Sequence, residues 1–331
     1  PFLKAAVANA EHLAKTVCIL PRDQIAARGQ PHRLVKRDGG RLAHIVFSLT
    51  QTAWIGERDG AEGAFGVRDS GVKDNLRKRL PQAFQRGTTL SLRFKENGQY
   101  LRSFVEDASL FVDIMMNVGI IFYAARATGD KHLREIALRH ALTTRRMLVR
   151  GDGSTAHEGL FDTTTGEFVR QATHQGYRAD SCWSRGLAWA LYGFGTCYEY
   201  SRDPHFLETA ESCADYYITH SPADGVAPWD FNAPGDSRKL LDTSAAAIAA
   251  SGLLRLSRLL QDPVKGHFYW NTGLRILRTL CEKHLADKTK GWEGILKGGV
   301  YHHDKKLGVN ESVIWGDHFF IEALEHALRH L

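Results

Sequence analysis

Ser201-Arg-Asp-Pro204 separates two stretches of helical apolar periodicity, and its reading decides the fold. Proline cannot continue a helix but starts one well, and an aspartate just before it can accept from the unpaired N–H groups of the next first turn. A helix over 182–201 therefore ends here, and a second, over 204–220, begins at once. The device recurs as Thr128-Gly-Asp130, between helices expected at 107–128 and 131–149, and as Gln261-Asp-Pro263, between 243–261 and 264–285. The turn aspartates Asp130, Asp203 and Asp262 lie 73 and 59 residues apart, an internal repeat of αα-hairpins. A last helix is expected over 312–330.

Longer loops, 150–181, 221–242 and 286–311, run between these hairpins and are rich in Gly, His, Trp and Asp. Short turns at one end and long loops at the other predict an all-α fold, an α/α toroid whose inner helices begin at the loop-bearing rim. The functional site is expected on that rim. Within the first long loop, Phe161-Asp-Thr-Thr-Thr-Gly-Glu-Phe168 reads as a β-hairpin turning at Thr165-Gly166.

Upstream the pattern changes. Residues 2–17 have helical spacing, but from Cys18 to about Gly71 periodicity fails in an Arg- and Gly-rich stretch where only His44–Trp54 is apolar enough to form an element. Helical signals return near Val72. Residues 18–88 are thus an atypical segment of what otherwise reads as one toroid domain over 1–331, and its N-terminal hairpins are incomplete if that segment does not supply them.

The chain has 331 residues, 43% of them hydrophobic, ample for a buried core. It contains no run of about 18 apolar residues, so no membrane span is expected. Five cysteines, Cys18, Cys182, Cys197, Cys213 and Cys281, form no CxxC pair and are odd in number, which favours reduced thiols and a cytoplasmic setting. The net charge of +6 is concentrated in residues 22–102, where 16 Lys and Arg face 8 Asp and Glu. That block lacks interleaved aromatics and any nucleic-acid motif, so no nucleic-acid partner is expected.

Two stretches carry candidate chemistry. In Asp180-Ser-Cys-Trp-Ser-Arg-Gly-Leu-Ala-Trp189, Asp180 or Ser181 is the expected cap, and Arg185 and Trp189 fall on one helix face. A guanidinium can grip a carboxylate and an indole can cover a sugar face; equally, Arg185 can pair with a buried acid in a core helix. In Leu110-Phe-Val-Asp-Ile-Met-Met-Asn117, Ser109, Asp113 and Asn117 form a polar stripe on an apolar helix. With Asp107 as the cap, Asp113 lies too deep to cap. Burial would favour its protonated form, as a general acid requires, though a hydrogen-bonded helix-packing aspartate fits the same pattern. Asp242 or Thr243 is expected to cap its own helix, and Asp317 can face either a cavity or an ion-pair partner. His157, His174 and Gln175 are expected near the start of the Trp183 helix; with Glu158 or Asp162 they match no metal-ligand spacing, so no metal is expected.

Several of these motifs, with others in the same order, resemble the unsaturated glucuronyl hydrolases of glycoside hydrolase family 88. They are Asp113-Ile-Met-Met-Asn117, Asp152-Gly-Ser-Thr-Ala-His157, Ala172-Thr-His-Gln-Gly-Tyr177, Asp180 through Phe194, Pro228-Trp-Asp-Phe-Asn-Ala-Pro234, Asp242 through Gly252 and Gly308 through Asp317. The likeness runs from about Thr89 to the C-terminus. It implies an (α/α)6 barrel acting on unsaturated uronyl oligosaccharides left by polysaccharide lyases, without a metal or organic cofactor. By the same resemblance Asp113 is the general acid/base, protonating C4 of the C4=C5 double bond so that water attacks C5. His157, His174, Gln175, Trp183, Arg185 and Trp189 match substrate-binding positions. Tyr301-His-His-Asp-Lys-Lys306 lies where family members differ toward the next sugar and lacks the serines of sulfate-accepting members.

The family's upstream Trp motif and His-Asp-x-Gly-Phe motif, which supplies a second active-site aspartate, are not found between residues 18 and 88, where Asp59 and Asp69 stand in unmatched surroundings. Phe104 stands where a tryptophan is common. Two alternatives follow: a catalytically impaired carbohydrate-binding relative, or a member of the related unsaturated rhamnogalacturonyl hydrolases.

Overall fold

A computed structural model describes residues 83–286 and 292–330. The expected helix over 2–17, the element at His44–Trp54, and Asp59 and Asp69 lie outside the described residues. After a helical segment 83–91, a small hairpin pairs β1 (Phe94–Lys95) with β2 (Tyr100–Leu101). The chain then builds α1 (Ile114–Thr128) and α2 (Lys131–Leu148), α3 (Ser184–Ser201) and α4 (Pro204–His220), α5 (Thr243–Leu256) and α6 (Pro263–Thr279), and finally α7 (Ile314–Leu328).

The helices sort into two layers by composition. The first 14 residues of α3, Ser184–Cys197, are all buried, and so are all 14 residues of α5. In α2, by contrast, burial falls on Leu133, Ile136, Ala137, His140, Ala141, Thr144 and Leu148, a stripe at helical spacing on an otherwise charged helix. Helices apolar all round must be covered all round, so α1, α3, α5 and α7 form the inner row. They neighbour one another in that order, with α2, α4 and α6 outside their own partners. This is the predicted α/α toroid. Small residues set the inner spacing: a Cβ at Gly193 of α3 would lie 2.4 Å from the Met115 carbonyl oxygen of α1.

The three turn aspartates cap the outer helices as predicted. Asp130 accepts from His132 N and Leu133 N, Asp203 from His205 N, and Asp262 from Val264 N and Lys265 N. Pro204 and Pro263 occupy the first helical turn. Local rules therefore define both the end of each inner helix and the start of its partner.

At the opposite end two small sheets cover the rim. β3 (Ser109–Phe111), β4 (Glu158–Phe161) and β5 (Phe168–Ala172) form an antiparallel sheet in the order β3-β4-β5, and β6 (Gly299–His302) pairs with β7 (Leu307–Glu311). The predicted hairpin after Phe161 is present, and Asp162 Oδ1 accepts from Thr164 N and Thr165 N in its turn.

Several boundaries differ from expectation, and α5 ends at Leu256 rather than at 261. Residues 109–111 form β3, and α1 starts only at Ile114, because a buried apolar run fits a strand as well as a helix until its partner is known. Asp107 consequently caps nothing and forms surface ion pairs with Lys95 (2.6 Å) and Arg102 (3.0 Å). The α3 cap position belongs to Trp183, while Asp180 pairs with Arg178 and the Ser181 hydroxyl donates to Asp230. The last outer helix passes from α6 into a π-turn over Leu280–His284.

Candidate active site

Asp113 sits at the N-terminal boundary of α1 with its side chain 16% exposed and no side-chain capping bond. Its position follows from the sheet beside it. Val112 N donates to the His157 carbonyl oxygen at 2.9 Å, extending the β3–β4 pairing by one step and laying His157 against Asp113. His157 Nε2 then lies 3.2 Å from Asp113 Oδ2, and the imidazole is 1% exposed. The pair is within ion-pair range without being aligned as a hydrogen bond.

The other face of His157 defines its tautomer. His174 N and Gln175 N both donate to His157 Nδ1, at 2.9 and 3.0 Å. A nitrogen that accepts from two backbone N–H groups carries no proton, so the proton of the neutral ring is on Nε2, the atom facing Asp113. Phe111 packs over this imidazole at 4.8 Å between ring centroids, and Trp183 covers it at 4.6 Å.

His174 is half-buried beside Lys305, and its pKa is lowered by burial first and then by Lys305 and His157. The Gln175 side-chain amide donates to the Tyr301 carbonyl oxygen at 2.7 Å, tying the 173–177 turn to β6. The same carbonyl accepts from Arg185 Nη2, also at 2.7 Å.

Arg185 is buried in the first turn of α3. Its Nη1 forms a 2.8 Å ion pair with Asp242 and also donates to the Val300 carbonyl oxygen, and its guanidinium lies over Trp183 at 4.4 Å and Trp315 at 5.2 Å. Arg185 thus has the buried acid partner that one of its two readings called for. Asp242 does cap α5, accepting from Ser244 N, but it serves Arg185 and Val300 N as well. The starts of α1, α3, α5 and α7 thus meet around one rim, where helix N-termini favour negative charge.

Asp113, His157, His174, Gln175, Trp183 and Arg185 are gathered here. Trp189 is not: it lies one turn deeper in α3, 3% exposed and edge-on to Phe319 of α7 at 5.2 Å. Ser109 and Asn117 of the expected polar stripe also separate, since the Ser109 hydroxyl donates to Glu158 and the Asn117 amide to the Asp113 carbonyl oxygen.

Several participants were not assigned from sequence. Phe111 stood out only as part of an apolar run. His302 of β6, 5.5 Å from His174 between ring centroids, is buried with neither ring nitrogen hydrogen-bonded among the described residues. Burial, then Lys305 and His174, bring its pKa down to about 4. Asp317 is buried and accepts from Ile295 N and Leu296 N, and burial pushes its pKa up to about 6. No group of three or more His, Cys, Asp or Glu side chains suited to a metal occurs among the described residues, and no described helix is long and apolar enough to cross a membrane.

Fold and rim together set the chain among the α/α toroid proteins. It belongs to glycosyl hydrolase family 88, whose model matches residues 79–257. An unsaturated glucuronyl hydrolase of Bacillus sp. strain GL1 is 36% identical over 218 residues, covering 65% of this chain and 57% of its own. An unsaturated chondroitin disaccharide hydrolase of Streptococcus pyogenes is 30% identical, covering 73% of this chain and 62% of its own. The crystal structure of the unsaturated glucuronyl hydrolase of Bacillus sp. GL1, described as responsible for the degradation of glycosaminoglycan, superposes with a TM-score of 0.69 at 32% identity, covering 76% of this chain and 68% of its own. The chain spans about three fifths of the length of these two sequence relatives.

Proposed function

We propose that the chain is a single-domain hydrolase that removes the C4=C5 unsaturated glucuronyl residue from the non-reducing end of lyase-generated oligosaccharides. The observation that carries this reading is the 3.2 Å approach of His157 Nε2 to Asp113 Oδ2 at the toroid rim. Asp113, protonated, transfers its proton to C4, and positive charge develops at C5 and the ring oxygen. The carboxylate so formed is stabilised by the Nε2–H of His157 and accepts a proton from the water that attacks C5. The resulting hemiketal opens to a C5 ketone, and the hemiacetal left at C1 releases the next sugar.

Substrate contacts are assigned to His157, His174, Gln175 and the Trp183 indole; Arg185, its charge balanced by Asp242, holds the wall behind them, and the helix N-termini draw the uronate carboxylate to the rim. Trp189 supports this wall from one turn below. The unpaired thiols of Cys182, Cys197, Cys213 and Cys281 suit a reducing compartment such as the cytoplasm. The impaired-relative alternative turns on a second carboxylate between residues 18 and 88, of which residues 18–82 lie outside the described residues.

Hydrolysis of an unsaturated, unsulfated disaccharide in D2O tests the chemistry. Protonation at C4 places one solvent deuterium there, on one face of the carbon. Product without deuterium at C4 would rule out hydration of the double bond.

A further inference from the structure

Asp230 is fully buried between the loop that ends hairpin α3–α4 and the 173–183 segment, and its acceptors are occupied in an ordered way. Oδ2 accepts from Tyr177 N at 2.9 Å and from the Ser181 hydroxyl at 2.7 Å, while Oδ1 accepts from Asn232 N at 2.9 Å. The backbone beside it is strapped along the start of α3: Ser184 N donates to the Trp229 carbonyl oxygen, Phe231 N to that of Cys182, and Cys182 N to Asn232 Oδ1. One carboxylate thus holds the far end of the turn that begins at Thr173.

The near end of that turn presents His174 N and Gln175 N to His157 Nδ1. Thr173 Oγ1 accepts from Gly176 N at 2.8 Å and closes the turn on itself. The turn is closely packed: a Cβ at Gly176 would lie 2.8 Å from Thr173 Oγ1, 3.1 Å from Trp183 Cβ and 3.2 Å from Asp230 Oδ2. Tyr177 and the two N–H donors to His157 thus belong to one short turn, 173–177, held at both ends.

We propose that Asp230 is a positioning residue for the reaction, holding the 173–177 turn as a lock that keeps the His157 proton on Nε2, toward Asp113. The assignment rests on the hydrolase reading for its effect on rate, but the tautomer itself is independent of it. A carboxylate that merely stapled a loop would affect folding without affecting which nitrogen carries the proton. Released from its two N–H donors, Nδ1 can take the ring proton, leaving a bare Nε2 lone pair against the Asp113 carboxylate, where it no longer stabilises negative charge.

Nitrogen NMR of the protein labelled at histidine, in mildly alkaline buffer, reads the tautomer directly. Wild-type protein is expected to show His157 with Nε2 protonated and Nδ1 bare. Asp230→Asn, and more weakly Ser181→Ala, shift His157 toward a mixture of tautomers and lower kcat by about tenfold or more with KM little changed. Gly176→Ala does the same with Asp230 intact. A wild-type ring protonated on Nδ1, or folded Ser181→Ala and Gly176→Ala proteins that keep both the wild-type tautomer and kcat, would overturn the assignment, also if Asp230→Asn does not fold. If the wild type turns over no unsaturated disaccharide, the hydrolase reading fails while the ring nitrogen shifts still decide the lock.

Discussion

Arg185 of α3 and Asp242 at the start of α5 form an ion pair at 2.8 Å with side chains 2% and 0% exposed. The pair joins two inner helices and, through the Val300 and Tyr301 carbonyls, carries β6 over the rim. Burying two charges is costly unless every partner stays in place, so removing one is far worse than removing both. Asp242→Ala is expected to destabilise the fold by about 3–5 kcal/mol in urea unfolding, and Arg185→Met with Asp242→Leu by clearly less than the two single losses combined. Additive losses would show that the pair is not coupled.

Asp113 makes no capping bond to α1, so its replacement should separate activity from stability. Asp113→Asn is expected to lower kcat by about 100- to 10,000-fold, the range for removing a general acid, with the unfolding midpoint little changed. A comparable rate with the amide would remove Asp113 from the proton transfer.

The outer-helix caps should behave as independent local terms. Asp130→Ala, Asp203→Ala and Asp262→Ala each remove bonds to first-turn N–H groups, on three different helices. Each is expected to cost about 1 kcal/mol, and the triple variant about 3 kcal/mol, in denaturant unfolding. A much larger combined loss would mean that the hairpin turns cooperate.

These caps were legible in the sequence because capping is decided within four residues, and the toroid followed from their repetition. Asp113 was legible as a lone acid in an apolar stretch, but not as the start of its helix, because Leu110-Phe-Val112 suits a buried helix and a buried strand equally. The partner of Arg185 was open for a different reason: it lies 57 residues away, and no local rule selects it. Asp230 and His302 were hidden likewise. Their roles come from Tyr177, 53 residues from Asp230, and from His174, on another loop altogether.

Buried histidines set the response to acid. Burial brings His140 down to about 3 and His318 to about 4, and His302 is at about 4. Each takes up a proton in the unfolded chain near its ordinary value before it can in the folded one, so stability falls as pH drops below about 6.5. Asp317, raised to about 6, works the other way. It holds its proton more tightly when folded, so its stabilisation is present at low pH and is lost as pH rises through 6. With His174 and His284 also lowered by burial, the histidines outnumber the two raised carboxyls, Asp317 and Glu322, and a net loss of stability between pH 6.5 and 4 is expected in urea unfolding. His140→Gln, which still offers an acceptor to Leu101 N, should flatten that dependence. An unchanged slope would show that His140 is not among the groups responsible.

In the proposed reaction Asp113, with the His157 N–H beside it, hydrates the double bond of an unsaturated glucuronyl residue. The most direct measurement follows the ultraviolet absorbance of the conjugated C=C–carboxylate in unsaturated, unsulfated disaccharides, comparing wild type with Asp113→Asn. Steady loss of absorbance is expected with the wild type and almost none with the variant. A folded wild-type protein that binds the disaccharide and leaves its absorbance unchanged would contradict that reaction.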